Sequence, residues 1–216
     1  MKKATILFLL IFPTALLAQS LRFSLLADPQ FSWMVADTKE ISSSGAVAGI
    51  NAGLGMDYYF ADNYAFSTGV TINNIGGKLQ YSDTLEFRIS SGIKSIPPQN
   101  TVSYHLQYIS VPVGLKFKTN EIGYTTFFTN LGVSPMVNIR TRVSDSSGSL
   151  DRDNTEDEIM LFNMNYFINL GVQYSLGGSA AIIGGLGYSS GFVDVTSRAA
   201  DAININTFTI KLGVLF

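Results

Sequence analysis

Phe127-Phe-Thr-Asn-Leu-Gly-Val-Ser-Pro-Met-Val-Asn-Ile-Arg140 splits cleanly by parity. Phe127, Thr129, Leu131, Val133, Pro135, Val137 and Ile139 form a nearly unbroken apolar series, while Phe128, Asn130, Gly132, Ser134, Met136, Asn138 and Arg140 are mostly small or polar. A period of two places alternate side chains on opposite faces of an extended strand. One face of this strand is greasy and the other is wet. The stretch is too long for an ordinary buried strand and too polar for a spanning helix.

The same split recurs three times. Phe162, Met164, Tyr166, Ile168, Leu170, Val172 and Tyr174 alternate with a series rich in Asn, Gly and Gln. Phe208, Ile210, Leu212, Val214 and Phe216 alternate with Thr207, Thr209, Lys211, Gly213 and Leu215. Between residues 46 and 60, Ile50, Leu54, Met56, Tyr58 and Phe60 oppose Asn51, Gly53, Gly55 and Asp57. Reading outward from these four segments predicts eight strands near 21–33, 45–60, 64–80, 102–118, 124–143, 160–175, 179–193 and 203–216. Their lengths exceed the roughly 9 to 11 residues that cross a bilayer at a tilt.

The connections alternate in length. Residues 61–63, 119–123 and 177–178 are short turns, whereas 34–44, 82–101, 144–159 and 194–202 are longer. Short turns on one rim and long loops on the other define a transmembrane barrel with periplasmic turns and extracellular loops. The expected fold is all-β, an eight-stranded antiparallel transmembrane up-and-down β-barrel in a Gram-negative outer membrane. Aromatic residues are expected as girdles at its two interfaces. Tyr58, Phe60, Tyr64, Phe66, Phe117, Tyr124, Phe127, Tyr174 and Phe216 would form the periplasmic one. Trp33, Tyr81, Tyr104, Tyr108, Phe162, Tyr188, Phe192 and Phe208 would form the outer one.

Composition agrees. Hydrophobic residues make up 46% of 216 residues and charged residues 14%, yet no internal stretch is apolar enough for a spanning helix. Residues 1–18 read as a signal peptide: Lys2 and Lys3, an apolar stretch from Ile6 to Phe12, and a small residue, Ala18, before the expected cleavage. Residues 19–216 then form one barrel domain. Removing Lys2 and Lys3 from the 14 basic residues leaves 12 against 16 acidic, a net charge of −4, which does not favour nucleic acid as a partner. The absence of cysteine excludes a disulfide framework and thiol chemistry.

Tyr108-Ile-Ser-Val-Pro-Val-Gly-Leu-Lys-Phe-Lys118 and the Gly-rich Gly49-Ile-Asn-Ala-Gly-Leu-Gly-Met-Asp57 resemble the central strand and early hairpin of the outer-membrane β-barrel family typified by PorT. The terminal strand ending in Phe216 is similar to the C-terminal signal by which such barrels are recognised for assembly. The resemblance covers the whole mature chain. It implies an outer-membrane location, contact with membrane lipid and the barrel-assembly machinery, and a role as an accessory of a surface-protein secretion system.

Candidate functional residues are few. Arg22, Asp28, Asp57, Lys116, Lys118, Arg140 and Lys211 fall on the inward series. Of these, Arg22, Asp57, Lys116 and Lys211 lie near the periplasmic ends and are expected to meet as a salt-bridged plug, because charges in a narrow lumen must be paired. An eight-stranded barrel is just wide enough for side chains to fill it, so a narrow ion pathway is the competing expectation. A lipid-modifying enzyme is a third. His105 is the only histidine, and Ser103 lies two residues away on the same face. Lipid A deacylases use such a pair in the opposite order, and no third carboxylate is evident beside this one. The loop from Asp145 to Glu158 carries Asp151, Asp153, Glu156, Asp157 and Glu158 but departs from the EF-hand pattern at Thr155 and Glu156. It reads as a solvated acidic loop with loose cation binding as the alternative. The loop 82–101, with Pro97 and Pro98, is the other expected docking place for an external partner. No cofactor or dedicated metal centre is implied. Together these features favour a non-enzymatic membrane scaffold.

Overall fold

The computed structural model describes residues 21–38, 40–89, 92–147, 153–154, 159–195 and 203–216. The signal-peptide reading of 1–18 and most of the acidic loop lie outside the described residues. The strands, in chain order, are β1 (Leu21–Ala36), β2 (Ile41–Ala61), β3 (Tyr64–Tyr81), β4 (Leu85–Ile89), β5 (Gly92–Ile96), β6 (Thr101–Ser110), β7 (Val113–Lys118), β8 (Thr125–Asp145), β9 (Asp153–Asn154), β10 (Phe162–Gly177), β11 (Ala180–Gly191) and β12 (Ile203–Leu215).

Eight strand positions close into a ring in sequence order: β1, β2, β3, β6 continued by β7, β8, β10, β11 and β12, which returns to β1. Every pairing is antiparallel. The ring is sealed between the first and last strands, where Phe23 and Phe216 exchange backbone hydrogen bonds of 3.1 and 2.8 Å. Closure matters because a lipid-exposed edge would leave backbone groups with no partner. The strand expected over 102–118 is two strands. Pro112 has no N–H to give the ladder, so pairing lapses between β6 and β7, and both continue along β3 and β8. The expected loop 82–101 contains the β4–β5 hairpin, with Leu85 opposite Ile96.

On β3, β6 and β12 the polarity of the two faces inverts part of the way up, whereas on β1 Phe31 and Val35 both stay exposed on the outer wall. In the lower part, Phe66, Val70 and Ile72 on β3, Ile109, Val113 and Leu115 on β6 and β7, and Phe208, Ile210 and Leu212 on β12 point outward and are exposed. On β8 the outward apolar series runs from Phe127 to Ile139. Its twelve steps, at about 3.3 Å each and a tilt near 40°, span about 30 Å, enough for the hydrocarbon layer. Higher up, the parity switches. Ile75, Leu79 and Tyr81 on β3, Val102, Tyr104, Leu106 and Tyr108 on β6, and Ile203 and Ile205 on β12 point inward and are buried. Their outward neighbours are Asn74, Lys78, Gln80, Ser103, His105, Gln107, Asn204 and Asn206. Below the switch the solvent of the outer wall is lipid; above it, headgroups and water.

This inversion corrects the outer girdle. Tyr81, Tyr104 and Tyr108 are 6%, 2% and 0% exposed and belong to the lumen, with the Tyr81 and Tyr104 hydroxyls 2.8 Å apart. Trp33, Phe162, Tyr188 and Phe208 do face outward or lie on the surface, and Trp33 and Tyr188 pair with ring centroids 6.5 Å apart. At the turn end Phe60, Tyr64, Phe66 and Phe117 form a continuous cluster, with Phe60 and Phe66 at 4.9 Å and Tyr64 and Phe117 at 5.6 Å.

Arg140 is corrected by a β-bulge. Gln107 faces Arg140 and Tyr108 faces Asn138, so Ile139 is the extra residue on β8. A bulge shifts the alternation by one. Ile139 and Arg140 are therefore both exposed, and the inward positions that follow are Thr141 and Val143.

Candidate functional site in the lumen

The barrel interior has two tiers. The upper tier is a packed apolar core built around Met34, Leu79, Val102, Tyr104, Leu106, Tyr108 and Ile203, each at most 2% exposed. Ile96 from the β4–β5 hairpin and Val195 from the connection before β12 complete it from above. The sequence contains its signal: residues 102 to 108 carry large side chains at every even position and polar ones at every odd position.

Below this core the lumen is polar. Asp28 is completely buried, and its position follows from its neighbour. Pro29 interrupts the β1–β12 ladder, which lapses between the pairs Leu26–Gly213 and Gln30–Thr209. The amide of Leu212, deprived of a strand partner, donates to Asp28 Oδ1 at 2.9 Å. The other carboxylate oxygen accepts from Asn51 Nδ2 at 3.0 Å and from Lys211 Nζ. A side chain thus replaces a ladder bond and gains a cation in the same step.

A similar repair spans β2 and β3. Their pairing lapses between Gly45–Lys78 and Asn51–Asn73, with five residues on β2 against four on β3. Two lumen side chains from β1 close the gap. Ser32 Oγ accepts from the Gly76 amide at 2.7 Å, and Gln30 Nε2 donates to the Asn74 carbonyl at 3.0 Å. Buried backbone groups without partners are costly, and Ser32 and Gln30 supply two of the partners that the ladder lacks here.

The four residues expected to form a periplasmic plug are not one cluster. Lys116 Nζ donates to Asp57 Oδ2 at 2.5 Å, with both side chains under 8% exposed, and lies 4.7 Å from the Phe128 ring centroid. Lys211 pairs with Asp28 instead. Arg22 stands at the periplasmic mouth, where it donates to the Ser179 carbonyl at 2.9 Å. Lys118, at the same mouth, stacks over Tyr59 at 4.5 Å. The mouth holds a cavity of about 480 Å³ lined also by Asp62, Glu121 and Gln173. A second cavity of about 130 Å³ lies higher, between the ion pairs and the residues Ser110, Asn130 and Ser134. The apolar tier stands above both.

The remaining candidates lie elsewhere. Ser103 and His105 are on the outer wall of β6, where the register neighbours of His105 are Gly76 and Arg142, neither a carboxylate. In the acidic loop only Asp153–Asn154 is described between 148 and 158, paired with Val143 and Arg142. Among the described residues no group of three or more His, Asp or Glu side chains could hold a metal. Phe216 is exposed on the outer face at the closing seam.

Residues 17–197 match the family model described as the outer membrane protein beta-barrel domain. No curated protein matches the chain. Among solved structures, Neisserial surface protein A (NspA) is similar over 89% of this chain and 95% of its own, with 14% identity and a TM-score of 0.50. OprG from Pseudomonas aeruginosa is similar over 90% and 95%, with 12% identity and a TM-score of 0.50. At these identities the likeness is one of fold.

Proposed function

The chain belongs to the outer membrane protein beta-barrel domain family, and from that premise we propose that it is a non-enzymatic scaffold embedded in the outer membrane, serving a surface-protein secretion or assembly system. The observation that carries the scaffold reading is the upper tier of the lumen. Met34, Leu79, Val102, Tyr108 and Ile203 are fully buried in one apolar core across the extracellular half. An ion would have to shed its water to pass such a layer, which opposes a conducting role. The lumen therefore serves the rigidity of the barrel, and interaction falls to the outer wall and the long connections.

The resemblance to PorT barrels supplies the class of partner: a component of a machinery that brings proteins to the cell surface. Crosslinking of the tagged chain in its own outer membrane, followed by pull-down, tests this. A reproducible secretion or surface-protein partner is expected, and a barrel recovered alone contradicts the scaffold role. The lipid-modifying alternative is separated by His105→Ala, which is expected to leave the membrane lipid profile unchanged.

A further inference from the structure

We propose that Arg140 and Arg142, with Gln107 beside them, form a binding site on the outer barrel wall for the phosphorylated headgroup of an outer-leaflet lipid. The inference goes beyond the scaffold role and does not depend on a protein partner. It starts from where the bulge puts charge. Without the extra residue Ile139, Arg140 would continue the inward series of Asn138 and Met136. With it, Arg140 emerges on the wall directly above Ile139, the last exposed apolar residue of β8. Arg142 follows on the same face, about 7 Å along the strand.

The pair stands at the height where the outer wall changes from apolar to polar. Ile72, Ile109 and Val137, exposed below it on β3, β6 and β8, offer a surface for acyl chains. Above them the wall carries Asn74, Gln107 and His105, and a cavity of about 260 Å³ opens among these residues, Ala48 and the two arginines. Gln107 Nε2 donates to Asn74 Oδ1 at 3.0 Å, which fixes both amides at the edge of the cavity. Neither arginine forms an ion pair among the described residues.

Two guanidinium groups on the outer wall, with no carboxylate paired to them among the described residues, offer a site for an anion from the surroundings. Guanidinium forks match phosphate oxygens in pairs. A lipid meets the remaining requirement, because the same molecule can place its phosphate on the arginines and its chains on Ile109, Val137 and Ile139. Basic residues at the bilayer surface recognise anionic headgroups in this way. A free phosphate ion would use the first half of the site only.

The test uses the full mature chain folded in phosphatidylcholine nanodiscs with and without diphosphorylated lipid A, and native mass spectrometry to count retained lipid. Wild type is expected to retain lipid A, and Arg140→Gln/Arg142→Gln to lose at least tenfold in apparent affinity. Arg22→Gln/Lys118→Gln, which removes the same charge at the periplasmic mouth, is expected to retain it. Heat-modifiable migration on a gel verifies that each variant is folded. Wild type is also expected to bind lipid A stripped of its phosphates at least tenfold more weakly, a comparison that needs no variant. Equal retention by wild type and the Arg140/Arg142 variant, or equal binding of the stripped lipid, overturns the proposal. Displacement of the lipid by millimolar inorganic phosphate also overturns it, by showing that the site reads the ion without the chains.

Discussion

Lys116 on β7 and Asp57 on β2 meet inside the barrel at 2.5 Å although β3 lies between their strands. The bond therefore crosses the lumen side of the wall and ties three strand positions together. Both side chains are buried, so the pair is dear to break and weak as a source of net stability.

Lys116→Met is expected to destabilise the barrel by about 3–5 kcal/mol, the cost of leaving a buried carboxylate uncompensated. Replacing both residues, as in Asp57→Leu/Lys116→Met, is expected to recover most of that loss. Urea unfolding in lipid vesicles, followed by tryptophan fluorescence of Trp33, measures both. Equal destabilisation by the single and double variants would show that the pair itself holds the wall.

Ser32→Ala is expected to cost about 1–3 kcal/mol, because it leaves the Gly76 amide without an acceptor inside the wall. Hydrogen exchange localises the effect: the Gly76 amide is expected to lose protection, while the amide of Gly69, lower on the same strand, keeps it. Unchanged exchange at Gly76 would mean that another acceptor takes over.

Leu79→Ala is expected to destabilise by about 2–5 kcal/mol despite its place near the long-loop rim of the barrel. Such a cost belongs to a packed core and not to a water-filled mouth. A change below about 0.5 kcal/mol, the usual range for surface positions, would show that the upper tier is loosely filled.

Deleting Phe216 removes the aromatic residue at the closing seam and the two backbone bonds it exchanges with Phe23. If the residue is also the assembly signal, the truncated chain is expected to accumulate unassembled in cells. Its refolding in detergent is expected to be affected far less. Equal losses in both settings would assign Phe216 a structural role alone.

The lipid-facing half of the fold was legible because one rule covers it. From Phe127 to Ile139, for the length of a bilayer, and again from Phe208 to Phe216, odd and even positions obey a single polarity. The rule failed for Tyr104 and Tyr108 because it is a statement about the solvent around the barrel, and that solvent changes at the membrane surface. Once β6 leaves the bilayer, its apolar side chains turn inward as they do in a water-soluble barrel. The even-numbered run Val102, Tyr104, Leu106, Tyr108 followed by the odd-numbered run Ile109, Val111, Val113, Leu115 records this change of phase directly. Arg140 escapes the rule for another reason, since a bulge of one residue leaves no mark in composition. The lumen charges were legible as inward-facing but not as pairs: which lysine meets which aspartate depends on register across nonadjacent strands, and on the gap that Pro29 leaves for Asp28 to fill.

Sealing of the lumen by the upper apolar tier is the claim on which the scaffold reading depends, and planar-bilayer recording of the purified full chain tests it most directly. A sealed lumen predicts a baseline without unitary steps under an applied potential. Reproducible steps of uniform size that depend on the folded barrel would contradict it and return the lumen to the role of an ion pathway.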